Sequence, residues 1–300
     1  MSITARLEPL DIGPRRFVWG QRTFVMGILN VTPDSFSGDG LLADGRRDDG
    51  GDPLARAVER ARAMAAAGAD ILDVGGESTR PGHAPVNAGE ELRRVVPVIA
   101  AIHDALPDMP VSIDTTKPDV AEAALAAGAH LVNDIWGVNA DDVLLRVAAA
   151  HAAPIVLMHN REEARYTQVV AEVIADLEAA VERSLQAGVA LERILVDPGI
   201  GFGKTAEHNL ALLHDLSALS VLGRPILLGT SRKSTIGKVL DLPTDERLEG
   251  TLATTALGIA AGIDIVRVHD VLENVRAARM ADAIIRETWP PPVSSQGGFR

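Results

Sequence analysis

Cysteine is absent from the 300 residues, which excludes a disulfide framework, a thiolate zinc site and a thiol nucleophile, and fits a reducing cytoplasm. Aromatic residues make up only 3%; Trp136 and Tyr166 are therefore rare rings, and a single Trp is more often a core or interface residue than a substrate stacker. No run approaches the roughly 18 apolar residues that a membrane helix needs. The stretch from Met1 to Gln21 has no charged-then-apolar leader pattern, so a soluble, unexported cytoplasmic protein is expected. Positive charge is in deficit as well: 29 basic against 41 acidic residues leave a net charge of −12. Such a chain has no global electrostatic reason to sit on nucleic acid or anionic lipid, and any anion it binds must meet a local cluster of cations. What is plentiful is apolar surface, 47% hydrophobic residues against 23% charged, the balance of a globular chain.

That apolar content is distributed in a repeating phrase. Short apolar runs are expected as strands at Phe24 to Asn30, Ala69 to Val74, Val111 to Asp114, Leu131 to Asp134, Pro154 to Met158, Ile194 to Asp197, Pro225 to Gly229 and Ile265 to Val268. They are apolar throughout rather than alternating, the pattern of parallel strands buried on both faces. Helical spacing intervenes: Leu54, Ala57, Val58, Ala61, Met64 and Ala65 share one helix face, as do Val170, Val173, Ile174, Leu177 and Val181. These segments stop at Gly68 and Gly188, where a left-handed residue is wanted. Strand and helix alternating about eight times predicts an α/β fold, a (β/α)8 TIM barrel in a single domain, with a doubly wound open sheet as the alternative. The expected division is an N-terminal extension over 1–22, the barrel over 23–288 and a loose tail over 289–300. The Gly- and Asp-rich stretch from Ser37 to Asp52 reads as a mobile loop.

Nearly every expected strand ends in a polar residue: Asn30, then Glu77, Thr79 and Arg80, then Asp114, Asn133, Asp197, Lys233, and Arg267 with His269. One such residue is as often a helix cap or turn former as a functional group. The whole set at one phase is different, because the C-terminal strand ends of a parallel barrel converge on one mouth. Asp114, Asn133 and Asp197 offer donors and acceptors in the middle strands, and Arg80, Arg267, His269 and Asn30 belong to the first, second and eighth strands, which adjoin on closure. The layout predicts an anion site beside a pocket for a polar heterocycle.

At these residues the chain resembles the dihydropteroate synthases of the pterin-binding family. The matching motifs run Met26 to Ser37, Asp73 to Gly82, Ser112 to Thr115, Val132 to Ile135, Asp197 to Lys204, Thr230 to Ser234 and Arg267 to Asp270, in family order. The resemblance implies a transferase of folate biosynthesis that condenses 6-hydroxymethyl-7,8-dihydropterin pyrophosphate with 4-aminobenzoate, giving 7,8-dihydropteroate and pyrophosphate by a dissociative mechanism. It implies that Asp114, Asn133, Asp197 and Lys233 line the pterin pocket. Thr79, Arg80, Asn30, Arg267 and His269 would hold the diphosphate, with Asn30 also a ligand of Mg2+. Phe36, Arg80, Pro81, Phe202, Ser231 and Lys233 correspond to the aminobenzoate side. Asp114, Asp197, Lys233, Arg267 and His269 are the expected catalytic set. A homodimer through Thr251 to Ile263 and Val271 to Ile285, and competition by sulfonamides, also follow by analogy.

Other motifs have duller readings. Gly199, Gly201 and Gly203 before Lys204 and Thr205 superficially suggest a phosphate loop, but Pro198 occupies the position of its first glycine, so the pattern fails. A tight glycine loop letting Phe202 approach the mouth is preferred, with Lys204 a solvated charge. Ser231 and Lys233 stand at S-x-K spacing, not S-x-x-K, which argues against covalent catalysis. His269 and Asp270 are a possible metal pair, and His159 is a weaker site candidate. The chain departs from the family pattern at Asn160 to Arg165, at Trp136 to Val138 and in the long loop before Pro53. Two rivals remain: a methyltetrahydrofolate methyltransferase, which has no diphosphate for Arg80 and Arg267 to hold, and a pterin-binding paralogue without synthase activity.

Overall fold

The computed structural model describes residues 7–31, 52–77 and 86–289. A short antiparallel hairpin, β1 (Leu10–Ile12) and β2 (Arg15–Phe17), comes first. It is followed by eight parallel strands: β3 (Phe24–Asn30), β4 (Ile71–Gly75), β5 (Val111–Asp114), β6 (Leu131–Asp134), β7 (Ile155–Met158), β8 (Ile194–Asp197), β9 (Leu227–Leu228) and β10 (Ile265–Val268). Their order is β8-β7-β6-β5-β4-β3-β10-β9, and a bridge between Val196 and Ile226 brings the two ends together into a nearly closed barrel. The helices between them are α1 (Pro53–Ala67), α2 (Ala88–Ala105), α3 (Pro118–Ala126), α4 (Asp142–Ala150), α5 (Val169–Gln186), α6 (Ala206–His214), α7 (Ser234–Leu240), α8 (Leu248–Ala260) and α9 (Val271–Ile285). None of the described helices is long and apolar enough to cross a membrane.

Side chains alternate across each strand, and the alternation sorts the core in two. Val25, Leu29, Leu72, Val74, Val132 and Val266 belong with helix residues such as Ala61, Met64, Val173 and Leu177 to an outer layer. Met26, Ile71, Leu131, Val156, Leu195 and Ile265 point the other way and form an inner cluster with Leu10, Ile12, Phe17 and Trp19 of the hairpin segment. The hairpin therefore plugs the end of the barrel where the strands begin. Nothing in the sequence reading anticipated it within residues 1–22.

Strands β3, β5, β6, β8 and β10 have the bounds expected from sequence. Strand β4 starts at Ile71 rather than Ala69, because the Ala69 N–H turns back to the Met64 carbonyl at the end of α1 (3.0 Å). Strand β9 shrinks to two residues: Pro225 has no N–H, and the Ile226 N–H goes to the Asp264 carboxylate (3.0 Å). The stretch read as a mobile loop lies outside the described residues except for Asp52, whose carboxylate caps α1 by accepting from the Leu54 N–H. The tail from residue 290 lies outside them too.

Candidate active site

The inward positions change character along the strands. Two residues beyond the apolar floor the same strand faces carry Asp73 above Ile71, Asn133 above Leu131, Asp197 above Leu195 and Arg267 above Ile265. Arg267 is the hub. Its Nε donates to Asp73 Oδ2 (2.6 Å) and its Nη2 to Asp114 Oδ2 (2.6 Å). Asn133 Nδ2 donates to the same Asp73 oxygen (3.1 Å). Residues 194 positions apart in sequence thus meet inside the barrel. Burial works against the Arg267 charge, but Asp73 and Asp114 outweigh it and raise its pKa. Burial lifts the Asp114 carboxyl to about 7, with Arg267 opposing the rise and Asp73 adding to it.

Beside this group stand Asp197 and Lys233. Asp197 Oδ1 accepts the Gly199 N–H (2.7 Å); burial raises its pKa to about 6, opposed by that hydrogen bond and by Lys233. Lys233 leads into α7, with its Nζ 3.8 Å from the centre of the Phe202 ring. Burial, then Arg267, bring it down to about 8. Its stem lies so close to Gly201 that a Cβ there would come to 3.0 Å of Lys233 Cδ. Carboxylates and cations are therefore interleaved at the mouth, with Asp114, Asp197 and Lys233 shifted toward their neutral forms and Arg267 held charged, which suits hydrogen bonding to a planar polar ring in a dry site.

A second edge is built by Ser231 and His269. The His269 N–H donates to Ser231 Oγ (3.1 Å), and the hydroxyl lies 3.0 Å from Nδ1. The hydroxyl can donate to Nδ1 or accept from it, since it keeps a second lone pair after accepting the backbone N–H. Between Ser231 and Lys233, Arg232 adopts a positive φ of 57°, held by its ion pair with Asp270 and by Thr251 Oγ1, which accepts its N–H (3.1 Å). Asp270 thus pairs with Arg232. Asn30 ends β3 on the inner face; its Oδ1 and Asp114 Oδ2 each come to 3.7 Å of the place a Cβ on Gly75 would take.

The structure gathers Asn30, Asp114, Asn133, Asp197, Phe202, Ser231, Lys233, Arg267 and His269 around one end of the barrel. Phe36, Thr79, Arg80 and Pro81 lie outside the described residues. Glu77, one of the strand-end polar residues, turns instead to Lys117, which it shares with Glu91. The sequence reading missed Asp73, the residue that carries Arg267; its inward parity two places above Ile71 was the available signal. It also missed Ser112, whose hydroxyl, like Asp73 Oδ1, is buried without a partner among the described residues. Lys204 is not the solvated charge expected from sequence. Its Nζ contacts the carbonyls of Gly199 (3.0 Å), Phe202 (3.0 Å) and His159 (3.3 Å), because the glycine loop folds back over it.

Comparison with known proteins shows what the chain as a whole is similar to. The family model described as pterin binding enzyme matches residues 26–269. A dihydropteroate synthase of Clostridium beijerinckii is 51% identical over 278 residues, covering 92% of this chain and all (100%) of the relative. A crystal structure of dihydropteroate synthase from Clostridium difficile, obtained in the presence of pteroic acid, superposes with a TM-score of 0.83 at 50% identity, covering 90% of this chain and 99% of that one. The enzyme from Xanthomonas albilineans in complex with 7,8-dihydropteroate gives 0.82 at 38% identity, covering 92% and 98%.

Proposed function

The chain belongs to the pterin-binding enzyme family, and from that premise we infer that it condenses 6-hydroxymethyl-7,8-dihydropterin pyrophosphate with 4-aminobenzoate to 7,8-dihydropteroate and pyrophosphate. The observation that carries the reading is the central Arg267, tied to Asp73 and Asp114 with Asn133 alongside, in a chain half identical to a dihydropteroate synthase along its length.

In the reaction the methylene carbon–oxygen bond breaks and pyrophosphate leaves with the electron pair. The amine nitrogen then forms the new carbon–nitrogen bond and gives up one proton. Asp114, Asn133, Asp197 and Lys233 would hold the pterin edge, and Asp114 and Asp197 would stabilise the positive charge left on it. Arg267, His269 and Ser231 would face the departing anion, with Thr79 and Arg80 joining them. An aniline nitrogen has its lone pair free at neutral pH, so no strong base is needed and positioning supplies much of the rate. Phe202, Ser231 and Lys233, with Phe36 and Pro81, would form the aminobenzoate side.

The family implies Mg2+, and the donors fit it. Asn30 Oδ1 and Asp114 Oδ2 are hard oxygen atoms bordering one space beside Gly75. Among the described residues no group of three or more His, Asp or Glu forms a cage, which suits an ion that keeps several waters and takes the rest of its ligands from phosphate. Asn30 would be its protein ligand, and the ion would supply charge neutralisation of the diphosphate.

Two further readings are proposals of the same kind. Leu257, Met280 and Ile284, on α8 and α9, are 68%, 63% and 64% exposed, and a second copy of the chain would cover them. A cytoplasmic location is supported by the lack of cysteine.

Steady-state measurement of pyrophosphate release with both substrates and Mg2+ tests the main reading. Turnover dependent on aminobenzoate, with competition by sulfonamides, is expected. No release at saturating substrates would overturn it in favour of a pterin-binding paralogue. Light scattering of the unaltered chain and of Met280→Asp tests the dimer, with a monomeric parent as the contrary result.

A further inference from the structure

We propose that Lys204 is a positioning residue for the aromatic amine: its ammonium, clasped behind the glycine loop, holds Phe202 in place against Lys233. The inference rests on the function proposed above. Three carbonyl groups and one ring nitrogen converge on Lys204 Nζ: the oxygens of Gly199, Phe202 and His159, and His159 Nδ1 at 2.9 Å. They come together because the loops after β7 and β8 touch backbone to backbone. A Cβ on Gly199 would fall on the His159 carbonyl oxygen, and Gly199 itself has a φ of 68°. Converging acceptors without a donor are costly inside a protein, and Lys204 is the donor that meets them.

His159 is arranged to accept from it. Fully buried, it places Nε2 3.0 Å from Asp176 Oδ2, an oxygen that also accepts from Arg161 Nε (3.0 Å) and Nη2 (2.8 Å). A carboxylate oxygen cannot donate, so the His159 proton sits on Nε2 and Nδ1 turns its lone pair to Lys204. Burial, then the Lys204 charge, lower His159 to about 4. Burial also lowers Lys204, to about 7, in the combined field of Asp197, Arg161, Asp176 and Lys233. The far end of the loop is tied down as well: the Tyr166 hydroxyl donates to the Gly203 carbonyl (3.0 Å), and Tyr166 packs under Arg161 and against His208. The clasp thus fixes a loop whose only ring, Phe202, lies under the ammonium of Lys233.

The test is a double-mutant cycle of Lys204→Met and Phe202→Leu, singly and together. Lys204→Met is expected to raise the aminobenzoate KM about tenfold while calorimetric affinity for 6-hydroxymethylpterin changes by less than about threefold. The double variant should be no worse than Phe202→Leu alone within about twofold, since Lys204 acts through that ring. Additive losses, or equal losses for both ligands, would overturn the proposal. Should Lys204→Met not fold, Lys204→Gln takes its place in the cycle with the same readouts. A readout independent of activity is the 15N spectrum of His159 in the unaltered chain: Nδ1 without a proton between about pH 6 and 9 is expected, and a protonated Nδ1 would overturn the clasp. If the unaltered enzyme releases no pyrophosphate, the proposed function fails, whereas the His159 spectrum still decides the clasp.

Discussion

The floor of the barrel and its mouth are built on the same strands, two residues apart, and they obey opposite rules. At the floor, Ile71, Leu131, Leu195 and Ile265 meet Ile12 and Phe17 of the hairpin in a cluster of apolar side chains. At the mouth, Asp73, Asn133, Asp197 and Arg267 occupy the next inward positions, and burial is tolerated only because each finds a partner. The floor gains from exclusion of water and tolerates any shape that fills it. The mouth gives up stability for a preorganised set of charges. Substitution should therefore separate the two regions by activity: the floor costs stability alone, whereas the mouth costs activity as well as stability.

The largest expected effect is at the mouth. Arg267→Met should lower synthase kcat/KM by about 100-fold or more. The same substitution leaves Asp73 and Asp114 buried without their cation. A carboxyl whose folded pKa is raised contributes stability at low pH and loses it as pH rises through the folded value. Asp114, already lifted to about 7 with Arg267 present, loses the cation that opposed the rise. The variant should thus be destabilised more at pH 8 than at pH 5, toward the roughly 3–5 kcal/mol of a broken buried pair. Denaturant melts at both pH values check the sign, and activity within tenfold of the parent would break the comparison.

Next comes the floor. Phe17, 1% exposed and stacked near Trp19 and Phe24 with ring centres 5.9 and 4.6 Å away, should cost about 3–5 kcal/mol when changed to Ala. Both KM values should stay within about twofold at a temperature where the variant is folded. A variant that melts early yet works normally sharpens the division; one that loses substrate affinity would show that the floor shapes the mouth.

The mouth was far more legible in the sequence than the floor's plug. Asp114 and Asp197 close mostly aliphatic runs and Asn133 and Arg267 stand one place before the end of theirs, and a polar residue recurring near the end of each run is a signal no single residue carries. Leu10 to Phe17 has no such repetition: two strands of three residues, with Asp11 and Arg16 facing water, show too few periods for alternation to register. Asp73 was hidden for another reason. Glu77, Thr79 and Arg80 follow closely and read as the polar end of its strand, so Asp73 is passed over although parity points it inward. Lys204 was hidden by its own loop, since which carbonyls turn toward a lysine depends on glycine φ angles that composition does not reveal.

One residue along from Asn133, Asp134 puts the rule to a finer test, because it is an acid buried on the helix side of the wall. Its Oδ1 accepts the Trp136 N–H (2.9 Å), and Oδ2 is buried without a partner among the described residues. Burial, only partly offset by that hydrogen bond and by Arg183, raises its pKa to about 7. Stability is then full below the unfolded value of about 3.9 and falls as pH rises through 7, each unit of separation being worth about 1.4 kcal/mol. Asp134→Asn should remove this slope, gaining about 2–3 kcal/mol over the parent at pH 8 relative to pH 5. Parallel pH profiles for the two proteins would mean that Asp134 is solvated in solution.

The smallest effect is expected on the outer face of the hairpin. Arg16 Nη1 lies 3.4 Å from Asp11 Oδ2, and the two side chains are 63% and 65% exposed. Water screens such a pair and ordering two long side chains offsets the attraction, so Arg16→Ala should change stability by less than about 0.5 kcal/mol. Arg16 and Phe17 are neighbours in one strand of three residues, one pointing out and the other in. If the plug is held by apolar contact with the strands above it, removing the ion pair should leave the melting curve where it was while Phe17→Ala moves it far. A comparable shift from both would mean that the hairpin is held by its rim as much as by its inner face, and the floor would then depend on charge in the way the mouth does.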